Sequence, residues 1–175
     1  SKKAQVVFLD AHAEGFLDAA WNPIFGEYDY VKQLPEGGVC YKTAIFVAPG
    51  YSSVLWPRDR VFTSSPCPSM AKAFSDHVVK AFGLENVAVD QGRITIIDRV
   101  PFVSHPRRDP SQEERAIQNL DFLKATLEKD STATKVEILD LEQTPFLEQL
   151  RIIRQSHIVI GNHEAGLAEL MFLNK

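Results

Sequence analysis

The stretch that decides the fold is His157-Ile-Val-Ile-Gly-Asn-His-Glu-Ala-Gly-Leu-Ala-Glu-Leu-Met-Phe-Leu173. Its first four residues form a short, β-branched apolar run, which is typical of a strand that a parallel sheet buries on both faces. Gly161-Asn162 favours a turn, because glycine and asparagine tolerate positive φ angles. Helix formers follow over residues 165–173. The stretch therefore predicts a strand, a turn and a helix whose free N–H groups suit a phosphate or diphosphate.

An ordinary strand–turn–helix corner is the alternative interpretation of this stretch, with His163 and Glu164 exposed to solvent. Short turn patterns match by chance often, so the stretch alone does not decide between the two. A third interpretation starts from His163-Glu164, because the helix of a zinc protease begins in the same way. Such a helix carries a second histidine four residues after the first, and Leu167 stands there instead, which disfavours a metal site.

The second half of the chain alternates predicted strands with predicted helices. An apolar run at residues 94–98 predicts a strand, and residues 136–141 predict a second, before the one at residues 157–160. Ser111-Gln-Glu-Glu114 is a capping box that begins a helix reaching about Glu128, and Thr144-Pro145 places threonine at the N-cap of another. Strands separated by helices imply parallel pairing with right-handed crossovers. We therefore predict an α/β fold in which the three runs are neighbouring strands of a Rossmann-like parallel sheet.

Composition narrows the class of protein. The 175 residues allow one domain of ordinary size or parts of two. Hydrophobic residues make up 45% and charged residues 24%, which is typical of a globular chain and not of a disordered one. The net charge of −4 gives no electrostatic support for a nucleic-acid partner. The apolar runs are far shorter than a membrane span, and no signal peptide opens the sequence.

The ends of the chain suggest a fragment. It starts at Ser1-Lys2-Lys3 and stops at Asn174-Lys175, directly after a helix has begun. Targeting signals and any membrane anchor would then lie outside it. Cys40 and Cys67 are compatible with a disulfide in an oxidising lumen or with two buried thiols, so they leave the compartment open.

Polar side chains follow the first predicted strand, at residues 5–10. Open α/β sheets bind ligands just beyond the carboxyl ends of their strands. The polar residues at this point are therefore candidates for acid–base catalysis or for holding an acceptor hydroxyl: Asp10, His12, Glu14 and Asp18. In the alternative interpretation, Asp10 and Asp18 only cap turns, as aspartate often does.

Two further elements complete the first half. Residues 39–47 partly alternate and are rich in β formers, which predicts a strand. A helix is predicted from an N-cap at Ser69 to Gly83 at the C′ position. Its predicted apolar face consists of Met70, Phe74, Val78, Ala81 and Phe82. A boundary follows this helix, so we predict one domain in residues 1–88 and a second in residues 89–175.

Arginines follow the first strand of the second half, at Arg99, Arg107 and Arg108. Cations at the carboxyl end of a parallel sheet are well placed for an anionic ligand. Arginine pairs are also common on solvated loops, and that alternative stays open.

Four segments together resemble glycosyltransferase family 61. The most specific is Thr144-Pro-Phe-Leu-Glu-Gln-Leu-Arg151 leading into Ile158-Val-Ile-Gly-Asn-His-Glu-Ala-Gly-Leu167, which resembles the family's FLxQLR helix and IGxHGAGLxxxxFL turn. The other three are Phe8-Leu-Asp-Ala-His-Ala-Glu-Gly-Phe-Leu-Asp18 with Trp21, Val39-Cys-Tyr-Lys-Thr-Ala-Ile-Phe46, and Cys67 with Met70-Ala-Lys-Ala-Phe-Ser-Asp-His-Val-Val79. The resemblance spans nearly the whole chain.

The resemblance implies the two-domain GT-B fold, with residues 1–88 on the acceptor side and residues 89–175 as the first part of the nucleotide-sugar domain. It implies inverting transfer of a sugar, with N-acetylglucosamine expected, from a UDP-sugar to a hydroxyl of a protein or glycan. Neither a metal nor another cofactor is expected, and the compartment implied is the lumen of the endoplasmic reticulum or Golgi. Cys40 and Cys67 match cysteine positions of the family, so the resemblance also implies that they lie near each other.

The resemblance also assigns roles to individual residues. Arg99 and one of Arg107 and Arg108 would hold the donor phosphates or the uridine ribose. The diphosphate turn would consist of Asn162, His163, Ala165, Gly166 and Leu167. The base that deprotonates the acceptor would come from Asp10, His12, Glu14 and Asp18, which the sequence does not rank.

Two departures from the family pattern oppose donor binding. Glu164 replaces a glycine of the HGAGL motif, which adds a side chain and a negative charge beside an anion. The chain also stops before further strands that close the family's nucleotide pocket. The rival interpretation is therefore an inactive or truncated relative that acts only as a folded binding module.

Overall fold

The computed structural model describes residues 5–9, 18–46, 52–53, 56–57, 68–98, 116–162 and 165–174. The chain divides into two compact units, Ser1–Val78 and Val79–Lys175. The predicted domain boundary at residue 88 stays a prediction. No helix among the described residues is long and apolar enough to cross a membrane.

The first unit is built around a pair of short parallel strands. β1 (Val6–Phe8) pairs with β2 (Tyr28–Tyr30), so that Phe8 lies opposite Tyr30. A 3-10 helix, Asp18–Ala20, and the short helix α1 (Trp21–Phe25) connect them. The ring of Phe8 lies 5.2 Å from that of Trp21 and 5.5 Å from that of Tyr30. The strand predicted at residues 5–10 is therefore present, although Asp10 lies outside the described residues.

The strand predicted at residues 39–47 is wrong over the part that the structure describes. Residues 39–46 contain no strand, and the side chains of Ile45 and Phe46 are 87% and 81% exposed. The residues have β propensity, but propensity needs a partner strand to be realised, and none of the described strands pairs with them. Cys40 is exposed and carries a free thiol. Cys67 lies outside the described residues, so the expected proximity of the two cysteines stays a prediction.

The rest of this unit contains three small elements and most of a long helix. A 3-10 helix covers Val31–Gln33, and β3 (Ser52–Ser53) pairs with β4 (Trp56–Pro57) in antiparallel fashion. The predicted helix is present as α2 (Pro68–Ala81), and Gly83 follows it with φ 66°. Its predicted apolar face is partly wrong, because Met70 is 59% exposed whereas Val78 is fully buried.

The second unit contains a parallel sheet of three described strands. They are β5 (Arg93–Asp98), β6 (Lys135–Asp140) and β7 (Ile158–Ile160), in the order β6-β5-β7. Both pairings are parallel. The predicted set of neighbouring parallel strands is confirmed, and with it the mixed α/β class. Because β5 is central, its residues from Arg93 to Ile97 are all buried.

Helices pack on both faces of this sheet, since successive strand residues point to opposite sides. One face packs against α3 (Leu120–Leu127), with Ile94, Ile96 and Val136 at its core. The other packs against α4 (Phe146–Gln155), with Ile97, Leu139 and Ile153 at its core. The sheet is therefore covered on each side by a crossover helix.

The starts of both helices differ from the prediction. Residues 116–119 are not helical, so α3 begins at Leu120 and not near residue 111; the capping box at Ser111 lies outside the described residues. α4 begins at Phe146, so Pro145 occupies the N-cap and the side chain of Thr144 makes no capping bond. The Gln149 side chain instead donates hydrogen bonds to the carbonyls of Leu141 and Thr144, both at 2.6 Å, and holds the preceding turn.

Candidate functional site

The carboxyl ends of the three parallel strands lie at one edge of the sheet. Asp98 lies opposite Asp140, and Ile96 lies opposite Ile160, the last residue of β7. The carboxylate of Asp140 accepts hydrogen bonds from the backbone N–H groups of Glu142, at 2.9 Å, and Gln143, at 3.2 Å, which closes the turn after β6. Ligands of open parallel sheets bind beyond this kind of edge.

Gly161 lets the chain turn closely against this edge. A Cβ at Gly161 would lie 2.9 Å from Cδ2 of Leu167 and 3.5 Å from Cβ of Ile97. Neither Gly161 nor Asn162 has a positive φ, although both residue types tolerate one. Glycine at this position leaves room for the side chain of Leu167 and does not serve a left-handed turn.

A 3-10 helix, Ala165–Phe172, follows the turn in place of a regular α-helix. Leu167 and Leu173 pack against the core that contains Ile97 and Ile153. The buried guanidinium of Arg154 donates hydrogen bonds to the carbonyl of Phe172, at 3.1 Å, and to that of Leu84, at 2.9 Å. The helix after the turn is therefore held against the sheet at both ends.

The predicted donor-binding residues fall partly within the described chain. Asn162 directly follows Gly161 at the carboxyl edge, and Ala165 and Gly166 begin the 3-10 helix. The side chain of Leu167 packs into the core, so its contribution to a ligand is limited to its backbone. The remaining donor-binding candidates lie outside the described residues: Arg99, Arg107, Arg108 and His163.

Asp18 is the candidate base that the structure describes. Its carboxylate accepts hydrogen bonds from the hydroxyl of Tyr30, at 2.5 Å, and from Nε1 of Trp21, at 3.3 Å. Both oxygens therefore tie the 3-10 helix to β2 and α1, which is a structural role. Asp10, His12 and Glu14 lie outside the described residues, and the assignment of the base stays a prediction.

The 3-10 helix carries a titratable residue, Glu169, that the sequence did not single out. Glu169 is half-buried, and its Oε2 is the one fully buried side-chain oxygen among the described residues without a hydrogen-bond partner. Burial raises the pKa of Glu169 from its ordinary value of 4.5 to about 7. Nothing in the local sequence marks this residue, because only the docking of the helix on the sheet removes its carboxyl from water.

We expect the raised pKa of Glu169 to make stability depend on pH. The unfolded chain loses this proton near pH 4.5, whereas the folded chain keeps it up to about pH 7. Stability from this group is therefore present at acid pH and is lost as the pH rises through 7. Glu169→Gln cannot ionise and should exceed the parent in unfolding free energy by about 2 kcal/mol at pH 8, and by much less at pH 4.5.

Urea denaturation of both proteins at both pH values measures this effect. The comparison cancels the other titrating groups, because they are common to parent and variant. An equal difference between the two proteins at pH 4.5 and pH 8 would show that the carboxyl of Glu169 is not desolvated in the fold.

A cavity of about 250 Å³ lies at the opposite, amino edge of the same sheet. Gly92, Ile94, Thr132, Ala133 and His157 are among the residues that line it. The backbone N–H of Gly92 donates a hydrogen bond to Nδ1 of His157, at 3.2 Å. This cavity is separated from the turn at Gly161 by the length of the strands, so the two sites are distinguishable by experiment.

Comparison of the sequence with known proteins shows which family the chain resembles. The family model described as glycosyltransferase 61 matches residues 36–175. The chain belongs to glycosyltransferase family 61. It is 32% identical to the EGF domain-specific O-linked N-acetylglucosamine transferase of Gallus gallus and 33% identical to that of Bos taurus; each match covers 99% of this chain and 32% of the relative. A beta-1,2-xylosyltransferase of Oryza sativa subsp. japonica is 25% identical over 97% of this chain and 36% of its own length.

The chain thus spans about a third of the length of the curated relatives that it matches. No solved structure matches it. The part that matches the family model includes the whole parallel sheet and the turn at its carboxyl edge. The resemblance predicted from the sequence is confirmed at the level of the family.

Proposed function

We propose that this chain is the part of a family 61 enzyme that holds the nucleotide sugar, within a GT-B architecture whose Rossmann-like sheet is the one in the second unit. The reaction proposed is inverting transfer of N-acetylglucosamine from UDP-N-acetylglucosamine to a hydroxyl of a protein or glycan, in the lumen of the secretory pathway. The observation that supports it most is the strand–glycine–helix turn at the carboxyl edge of a parallel sheet in a family 61 chain.

The donor site proposed lies at that edge. Asp98, the last residue of β5, lies at this edge, and Arg99 is the next residue of the sequence. A departing UDP gains negative charge, which arginine side chains and helix N–H groups stabilise. With Arg107 or Arg108 as a second cation, the proposed site needs neither a metal ion nor another cofactor.

The acceptor base proposed comes from the first half of the chain. Both carboxylate oxygens of Asp18 already accept hydrogen bonds from Trp21 and Tyr30. We therefore expect the base among Asp10, His12 and Glu14. The acceptor is expected to be an EGF domain, since the name of the relatives in Gallus gallus and Bos taurus specifies that domain.

A folded module that binds UDP without transferring a sugar is the second candidate. Glu164 favours it, because a carboxylate beside the diphosphate opposes donor binding and positioning. Incubation with UDP-N-acetylglucosamine and an EGF domain separates the two candidates. Glycosylated EGF domain supports the transferase, and UDP binding without product supports the module.

Calorimetric titration with UDP tests the donor site itself. We expect Arg99→Ala to weaken binding by about 2 kcal/mol, because a charge-assisted hydrogen bond is lost. Glu164→Gly should strengthen binding, because it removes a like charge and restores close backbone approach. A chelator should leave the UDP affinity of the parent and of both variants unchanged.

Arg151→Ala is the matched control, because Arg151 lies on the exposed side of α4, paired with Glu148. It also removes one arginine and should leave UDP affinity unchanged. If Arg99→Ala binds UDP as tightly as Arg151→Ala does, Arg99 does not contact the donor. If Glu164→Gly binds UDP no better than the parent, the proposed diphosphate turn loses its main support.

A further inference from the structure

The helix motif at residues 146–151 carries a buried polar side chain that the proposed reaction does not use. Gln149 is 1% exposed, in the first half of α4. Its Nε2 donates hydrogen bonds to the carbonyls of Leu141 and Thr144, both at 2.6 Å. Because a glutamine amide nitrogen has two N–H donors, both of them serve the segment that joins β6 to α4. We call this segment, residues 141–145, the β6–α4 turn.

The β6–α4 turn is held by hydrogen bonds from both of the elements that it joins. On the strand side, the carboxylate of Asp140 accepts hydrogen bonds from the N–H groups of Glu142 and Gln143. The N–H of Thr144 donates to the backbone carbonyl of Asp140, at 3.1 Å. On the helix side, Gln149 holds the two carbonyls. The turn is therefore ordered before a ligand arrives, and binding against it costs little additional entropy.

The β6–α4 turn and the turn at Gly161 lie on the two sides of the central strand. β5 is placed between β6 and β7, and each turn follows the carboxyl end of one of these two neighbours. Leu141 in the first turn and Leu167 after the second pack against the same core cluster, which contains Ile97 of β5. The two turns therefore flank the carboxyl end of β5 on one face of the sheet, where the donor is proposed to bind.

The amide of Gln149 determines where the β6–α4 turn lies. An apolar side chain in its place would fill the same space but would leave the carbonyls of Leu141 and Thr144 without their donor. A carbonyl that loses its donor must find another partner, so the turn would shift until water reached both groups. Such a shift changes the separation of the two turns, and a displacement of about 1 Å is enough to weaken binding strongly.

We propose that Gln149 is a positioning residue of the proposed donor site, which sets the separation of the β6–α4 turn from the turn at Gly161 so that a nucleoside diphosphate fits between them. The inference rests on the proposed donor site and adds to it a residue that acts through the turn without touching the ligand. It gives a task to the buried amide of the helix motif. It predicts that loss of this amide weakens donor binding in a protein that is still folded.

The test compares the two glutamines at opposite ends of α4. Dissociation constants for UDP are measured by calorimetry for the parent, Gln149→Met and Gln155→Met, after urea denaturation has shown that each protein is folded. Methionine keeps the length and the helix propensity of glutamine but has no N–H to donate. Gln155→Met is the matched control, because Oε1 of Gln155 accepts a hydrogen bond from Arg93 at the amino edge of the sheet.

We expect Gln149→Met to weaken UDP binding about tenfold or more, because the turn beside the ligand is displaced. Gln155→Met should bind UDP as the parent does, although both variants lower stability. Equal UDP affinities of the two variants would overturn the inference and leave the proposed donor site intact. A parent protein that does not bind UDP would reject the donor site, and this inference with it.

Gln149→Glu gives a second readout, which a loss of stability alone would not produce. An ionised carboxylate has no hydrogen for the two carbonyls, whereas a protonated carboxyl donates one hydrogen bond. Burial favours the protonated form as the pH falls. The UDP affinity of Gln149→Glu relative to the parent at the same pH should therefore be partly restored at pH 5.5 compared with pH 8. An unchanged ratio at the two pH values would overturn the inference, even if Gln149→Met did not fold.

Discussion

Gly92→Ala is expected to lower the free energy of unfolding by about 3 kcal/mol or more. Gly92 has φ 91°, which side chains rarely adopt, and an added Cβ would overlap the carbonyl oxygen of Thr132. It would also approach the backbone N and the Cγ2 of Thr134 to 3.0 Å. The neighbouring backbone cannot move away freely, because Thr134 donates its N–H to the carbonyl of Gly92 at 3.0 Å.

Gly83→Ala is the matched control in the same unit. Gly83 also has a positive φ, 66°, but nothing lies within 4 Å of a Cβ built there. It should therefore show the backbone strain alone, about 1 kcal/mol. Denaturant unfolding of both variants measures the difference. If Gly92→Ala costs no more than Gly83→Ala, the close approach of residues 132–134 to Gly92 is absent from the folded protein.

Arg93→Met is expected to cost about 2–3 kcal/mol, because the carboxylate of Glu137 loses the more buried of its two cationic partners and keeps Lys135, at 2.7 Å. Nε of Arg93 lies 2.5 Å from Oε1 of Glu137, and the two side chains are 10% and 17% exposed. Burial raises the pKa of Glu137, but hydrogen bonds from Arg93 and Lys135 outweigh it, so that the pKa lies below its ordinary value of 4.5. The pair therefore stabilises the fold at neutral pH, and this contribution is lost as the pH falls below about 4.5.

The double variant Arg93→Met/Glu137→Met removes both charges and should recover most of this loss, since apolar replacements of a buried pair are close to neutral. Arg151→Met is the control, because Arg151 and Glu148 form an exposed pair, at 45% and 44%, worth less than about 1 kcal/mol. Unfolding by urea at pH 7 gives all three values. A loss in Arg93→Met no larger than in Arg151→Met would contradict the burial of the ion pair.

The parallel sheet was predictable because its signal is local. Residues 94–97 form a continuous apolar or β-branched run, and residues 136–139 are apolar except for Glu137. The helical pattern between the two segments leaves only parallel pairing. The exposed segment at residues 39–46 carries a similar pattern and forms no strand. A β pattern indicates only that a segment is able to pair. Whether a partner strand lies beside it depends on the rest of the fold.

The surroundings of individual side chains were less predictable, because they come from distant segments. In the sequence, Arg93 is a polar residue directly before an apolar run. In the fold it is buried, and its guanidinium donates hydrogen bonds to Glu137 on β6 and to Gln155 at the end of α4. Gly161 was expected to allow a sharp backbone turn, and in the fold it also leaves room for the side chain of Leu167. Glu169 looks like an ordinary helix surface residue until the helix is docked on the sheet.

The central claim is that the donor binds at the carboxyl edge of the parallel sheet, and hydrogen exchange with and without UDP-N-acetylglucosamine tests it most directly. We expect the ligand to slow exchange of backbone amides in residues 161–169. Exchange at residues 91–92 and 132–133, which line the cavity at the amino edge, should stay unchanged. Slowed exchange at the amino edge, with none in residues 161–169, would contradict the claim.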